Sequence, residues 1–159
     1  MNLQLIIAIL LTLLPLIELR GGLPVAIEYA ISNNISIWPV FLGILVLNIL
    51  LIFAIFLFLD YLNKFFLKFV FWKKFFNNRL EKTRIKSERV QKQMKNWGFI
   101  ALAGFVAIPL PLTGAYTGCL IAWLLNLDRK KSLIAISIGV MIAGLLVLLA
   151  TLGVLGLLS

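Results

Sequence analysis

Two ionisable residues, Glu18 and Arg20, interrupt an apolar N-terminal stretch in the string Glu18-Leu19-Arg20-Gly21-Gly22-Leu23-Pro24. A carboxylate can take and release a proton, and a guanidinium can hold an anionic group through two parallel hydrogen bonds. Within a membrane each such charge costs about 2.5–3.5 kcal/mol even on the lenient insertion scale, so the pair needs a reason to be there. Two residues apart in a Gly-rich turn, they can pair with each other or with freed backbone groups. One reading makes them a structural clamp; the other gives Glu18 a proton and Arg20 an anionic ligand. Gly21 and Gly22 permit close backbone approach, and Pro24 suits the first turn of a returning helix.

A second string of the same character is Pro109-Leu110-Pro111-Leu112-Thr113-Gly114, followed by Ala115, Tyr116, Thr117 and Gly118. Pro109 and Pro111 remove backbone donors and exclude helix, and Thr113 offers a hydroxyl and a cap for a helix beginning near Gly114. A break of this kind at membrane depth survives where it is buried in protein or lines a wet cavity. Thr113, Tyr116 and Thr117 read either as ligand contacts or as helix capping and interhelix hydrogen bonds. Asn48 stands as interhelical glue or as a bond to the two breaks, and Glu28 near an outer mouth. Asp60 and Asp128 lie beside basic residues and are expected to pair there. Ala135, Gly139 and Ala143 follow a small-xxx-small spacing, which predicts close packing on a neighbouring helix or a second subunit.

Other chemistries lack their parts. The chain has no histidine and one cysteine, Cys119, read as a packing residue, so an intrachain disulfide, a Cys/His zinc site and Ser/His or Cys/His catalysis are excluded. No cofactor or metal is expected. An enzyme is not expected either, because Glu18 is a credible base without an accompanying nucleophile.

The elements that must position these residues are membrane elements. Of 159 residues 62% are hydrophobic and 13% charged, with a mean hydropathy of +1.08, which excludes a water-soluble globule. The 15 Lys and Arg against 6 Asp and Glu give +9, and 11 of the 15 fall between Lys64 and Lys95. Crowded into one loop, they are the signature of a cytoplasmic segment facing anionic headgroups, and nucleic acid is not expected as a partner. The N-terminal stretch lacks a basic n-region and a small-residue cleavage pattern and reads as mature sequence.

Leu3 to Ile17 is 15 residues, about 22 Å as a helix, too short for a ~30 Å hydrocarbon core. Residues 1–34 therefore read as two half-helices around the first break, and 35–62 as a full transmembrane helix. Residues 63–96 form a basic interfacial and cytoplasmic helical loop. Residues 97–127 repeat the broken plan, and 133–158 make a second full span. The positive-inside rule keeps both the 63–96 loop and the cluster at 128–132 on the cytoplasmic face, so 97–127 must enter and return. The chain is thus expected to be one all-α integral membrane domain of the plasma (inner) membrane. Its plan is an inverted repeat of a re-entrant helical hairpin followed by a full transmembrane helix, with both termini outside. For residues 1–34 a single kinked span is the alternative.

At ELRGGLPVA (18–26) and PLPLTGAYTG (109–118) the sequence resembles the small multidrug export protein family, and the likeness extends over nearly the whole chain. That family looks like a distant relative of the DedA membrane proteins. In those, two re-entrant hairpins meet in mid-membrane, and acidic and arginine residues are tied to proton-coupled transport of polyprenyl-phosphate lipids. The resemblance implies that Glu18, Arg20, Gly21 and Pro24 stand in the first motif, and Pro109, Pro111, Thr113, Gly114 and Gly118 in the second. The family pattern more often carries Gly at the place of Leu112 and Trp at that of Tyr116.

Together these readings predict a secondary transporter, coupled to protons through Glu18, of an amphipathic anionic substrate such as a lipid-linked phosphate. Membrane lipids are its surroundings, and a homodimer or larger assembly is expected because two full spans enclose little pathway. The alternatives are an exporter of cationic drugs, with Glu18 as the binding anion, and a non-transporting scramblase or assembly subunit in which the pair only holds the fold.

Overall fold

A computed structural model describes residues 3–15, 17–66, 87–110, 113–125 and 127–158, with side chains described for all of these except 63–66, 87–96 and 158. Among the described residues there are six helices and no strand: α1 (Leu3–Leu13), α2 (Glu18–Ser32), α3 (Ile37–Phe66), α4 (Ser87–Ala107), α5 (Ala115–Leu124) and α6 (Arg129–Leu158). Pro111 and most of the basic loop lie outside the described residues.

Among the described residues two helices are long and apolar enough to cross a membrane: Ile37–Leu62, of 26 residues and mean hydropathy 3.1, and Arg129–Leu157, of 29 residues and mean hydropathy 2.8. Each buries one stripe. On α3 the inward positions are Phe41, Ile44, Leu45, Asn48, Ile52, Ile55, Phe56 and Leu59, at the three- and four-residue spacing of a helical face. The opposite face exposes Leu42, Val46, Leu50, Phe53 and Leu57, a contiguous apolar surface that water would penalise and hydrocarbon accepts.

The first break does not fall where the glycines suggested. The chain turns at Leu14, Pro15 and Ile17, with the Glu18 amide donating to the Leu14 carbonyl at 2.9 Å. Gly21, Gly22 and Pro24 all lie inside α2. Pro24 is therefore an interior proline and not the first-turn residue expected. The reason is packing. A Cβ at Gly22 would meet the Thr12 hydroxyl and stand 2.6 Å from the Ala8 carbonyl of α1, so Gly22 serves the close approach of α1 and α2, while a Cβ at Gly21 would meet the Ile17 side chain of the turn. The left-handed backbone of the turn falls on Glu18 itself, at φ 50°.

α2 packs on α1, α3 and α6, and its inward side, Leu19, Leu23, Ala26, Ile27 and Ala30, is buried. Asn33 and Asn34 turn the chain back into α3, with Asn34 at φ 53°, a conformation asparagine tolerates. At the far end of α3, Asp60 forms an ion pair with Arg129, whose guanidinium also lies 5.8 Å from the Phe56 ring centre. Asp128 accepts a hydrogen bond from the Lys131 amide at 3.0 Å and so caps α6. Asp60 thus pairs with a basic residue as its sequence setting predicted, whereas the Asp128 carboxylate is used on a backbone amide at a helix start.

α4 and α6 run side by side. The Lys131 ammonium lies 5.7 Å from the Phe99 ring centre, and two turns further a Cβ at Gly139 would be 2.7 Å from the Ala103 carbonyl and 2.8 Å from Val106 Cβ. Gly139, the middle residue of the small-residue stripe of α6, therefore packs on α4 of the same chain. Gly144 faces Leu19, Leu45 and Phe41, which brings α2, α3 and α6 together at one level.

Candidate functional site

Glu18 opens α2 and is buried, 6% exposed. Its carboxylate is spent on the second break: Oε2 accepts from the Ala115 amide at 2.9 Å and Oε1 from the Tyr116 amide at 3.0 Å. These are two of the first amides of α5, which have no partner within their own helix. An anion at that end also answers the helix dipole, and hydrogen bonds to an ionised acceptor are stronger than neutral ones. The residue at the start of α5, Gly114, has no side chain to cap with. A Cβ there would fall on the Glu18 carboxylate. Glycine is required at 114 for this approach, and the cap comes from 96 residues earlier in the chain.

Arg20, two residues onward, holds the other side of the same break. Its Nη2 donates to the Ile108 carbonyl at 3.1 Å and to Thr113 Oγ1 at 3.0 Å. The Thr113 hydroxyl in turn has the Ile108 and Leu110 carbonyls within donating distance, at 2.7 and 2.8 Å. The carbonyls freed where α4 ends are thereby satisfied by a guanidinium and a hydroxyl. Thr113 does not cap α5 as its position suggested; its hydroxyl turns back to the end of α4 while Glu18 supplies the cap. A third tie runs the opposite way, from the Tyr116 hydroxyl to the Leu13 carbonyl at the end of α1, at 2.8 Å.

Each break is thus closed by the other. The two halves of the chain exchange a carboxylate, a guanidinium and a phenol for each other's unsatisfied backbone groups, which is what backbone irregularity in an apolar interior demands. Of the two pairings open to Glu18 and Arg20 in the sequence, it is the one with freed backbone groups that is present. Arg20 carries its charge to neutral oxygens, a carbonyl and a hydroxyl.

The candidate residues therefore separate. Glu18, Arg20, Thr113, Gly114 and Tyr116 meet at the junction, and Thr117 follows in the first turn of α5, half-buried. Gly118 does not touch the junction; a Cβ there would be 2.7 Å from Val106 Cγ2, so it serves the packing of α5 on α4. Gly21, Gly22 and Pro24 lie within α2, and Gly22 serves its contact with α1. Pro109 lies exposed within the break, and Glu28 is exposed towards the other end of α2. Asn48 is fully buried in α3, and neither its Nδ2 nor its Oδ1 has a partner among the described residues. The bond from Asn48 to the breaks considered on the sequence is not made.

Sequence reasoning missed the partners that are backbone: the Ala115 and Tyr116 amides and the Leu13 and Ile108 carbonyls. The available signal was negative, a helix start at Gly114 with no usable cap beside one buried carboxylate elsewhere.

Residues 18–146 match the model of a protein family described as "Putative small multi-drug export protein". The match begins just after the first break and takes in α2 with Glu18 and Arg20, the second break with Thr113, Gly114 and Tyr116, and most of each long apolar helix. No curated protein and no solved structure matches the chain.

Proposed function

The chain belongs to the small multi-drug export protein family, and from that premise we propose that this membrane protein is a proton-coupled secondary transporter of an amphipathic anionic substrate, with a lipid-linked phosphate as its type. The observation that carries the reading is the Glu18–Arg20 junction. A carboxylate occupies two amides at a helix start, the kind of place that welcomes an anion, and a guanidinium beside it is bonded to neutral oxygens. An incoming phosphate competes with Glu18 for the Ala115 and Tyr116 amides and is held by Arg20. Displaced into the apolar interior, Glu18 takes a proton, because a buried carboxylate without partners is favoured only in its neutral form. Substrate binding and protonation are then two sides of one exchange, which is coupling.

The membrane arrangement that goes with this reading is the inverted repeat: α1–α2 entering from one face, α4–α5 from the other, and the breaks meeting near the middle. The Asp60–Arg129 pair supports it, since the segment between these residues leaves and rejoins the same end of the molecule. The contacts Phe99–Lys131 and Val106–Gly139 support α4 descending beside α6 as far as the break. In this reading the basic loop faces the cytoplasm, no enzymatic step is involved, and two copies complete the wall of the pathway. Export of cationic drugs fits the junction less well, because both Glu18 oxygens are taken up by amides and Arg20 repels a cation.

The test is transport by purified protein in liposomes under an imposed pH gradient, with polyprenyl phosphate as the probe. Wild type is expected to move it, and Glu18→Gln and Arg20→Ala are each expected to reduce the rate at least ~10-fold while eluting at the wild-type size, since each removes a group worth about 1.4 kcal/mol or more to the bound anion or its coupling. Normal movement by both variants returns the pair to a purely structural role.

A further inference from the structure

Asn48 is the one residue on the inward face of α3 whose chemistry nothing above has used. It is fully buried, and both the donor and the acceptor of its amide lack partners among the described residues. Such a group is costly in any apolar interior and more so in the middle of a membrane span, where an aliphatic side chain would be better. It is also shielded from any second copy of the chain by its burial.

Its depth can be read from the helices. Arg129 and Asp60 pair at one end of α6 and α3. At ~1.5 Å per residue, Gly139, which meets α4 just before the second break, lies about 15 Å along α6 from Arg129, and Gly144, which meets Leu19 next to Glu18, about 22 Å. Asn48 lies about 18 Å along α3 from Asp60, between those two levels. α3 packs on α2, α5 and α6, the elements that carry Glu18 and its amide partners. The unpartnered amide and the junction share one level of the interior.

We propose that Asn48 receives the Glu18 carboxyl group when it is protonated and leaves the start of α5. A neutral carboxylic acid and a primary amide are complementary: the acid O–H donates to the amide oxygen while the amide N–H donates to the acid carbonyl. Both orphan atoms of Asn48 are satisfied by this one partner, and Glu18 exchanges two backbone donors for an acceptor and a donor as it gains its proton from the aqueous side. The charged and titratable groups around Glu18 are Arg20 of α2 and Tyr116 and Cys119 of α5. The Ala115 and Tyr116 amides are partners suited to the carboxylate; the Asn48 amide, with a donor and an acceptor, is one suited to the acid. The inference rests on the proton-coupled reading and assigns Asn48 as the positioning residue for the protonated state.

Two readouts test it. Asn48→Leu is expected to raise the thermal midpoint by at least ~2 °C, because it replaces an unpartnered polar group by an aliphatic one of similar size. A variant that loses stability, or does not fold, shows that Asn48 is interhelical glue and overturns the proposal. Infrared spectra taken across a pH titration, with Glu18→Gln identifying the band, report the Glu18 carboxylic acid carbonyl directly. In wild type that carbonyl accepts from the Asn48 N–H while the acid O–H donates to the Asn48 oxygen, and its stretch is low; Asn48→Leu is expected to move it to higher wavenumber and Asn48→Gln to restore it in part. An unmoved band alongside transport that still depends on Glu18 overturns the pairing and leaves the transport reading standing. No Glu18 acid band at any pH at which the protein stays folded overturns both.

Discussion

At the scale of single residues the account turns on Gly114, whose missing side chain leaves room for the Glu18 carboxylate. Gly114→Ala should push the carboxylate off the Ala115 and Tyr116 amides and cost about 2–4 kcal/mol, the worth of two hydrogen bonds to a charged acceptor less what relaxation recovers. Thermal unfolding in detergent checks it, and a variant as stable as wild type would mean that Glu18 finds equivalent partners nearby. Glu18, Arg20, Thr113, Gly114 and Tyr116 were legible in the sequence because charge and hydroxyls in an apolar run need an explanation. Their partners were not, because backbone amides and carbonyls have no letter in the sequence and become available only where helices end. Thr113 illustrates the difference: its position suggested a cap for α5, but a charged acceptor from α2 takes that place and the hydroxyl turns to the carbonyls behind it.

At the scale of elements, the long apolar runs gave α3 and α6 with little ambiguity, since 26 and 29 residues of such hydropathy have no alternative in an all-helical chain. The break before α2 was misplaced because Gly and Pro were read as punctuation. In an apolar interior an unbonded backbone group is costly and a helix bonds most of its own, so helix persists through Gly21, Gly22 and Pro24, and Gly22 is used for contact between helices. This makes a sharp comparison available. Gly22→Ala should destabilise by about 1–3 kcal/mol by driving α1 away from α2, whereas Gly43→Ala, where an added Cβ meets nothing within 4 Å, should be neutral or slightly stabilising through helix propensity. Equal midpoints for the two variants would argue that α1 is not held against α2.

At the scale of the whole molecule, the breaks explain each other. Neither α1–α2 nor α4–α5 satisfies its own turn, and the two together do so with Glu18, Arg20 and Tyr116 crossing between them. Of these ties the one from the Glu18 carboxylate to the start of α5 is the one that a proton or a competing anion can displace, and the proposed transport cycle turns on it. The pairing of halves was foreseeable from the repeated order of broken segment and long helix; the exchange of side chains between them was not, because it joins residues about 90 positions apart. The most direct measurement is of proton movement driven by substrate, using protein in liposomes that contain a pH-sensitive dye and adding polyprenyl phosphate outside. The account predicts a pH change inside wild-type vesicles that disappears in Glu18→Gln. Phosphate-lipid movement without proton movement, or a response to cationic drugs and none to the phosphate, would contradict it.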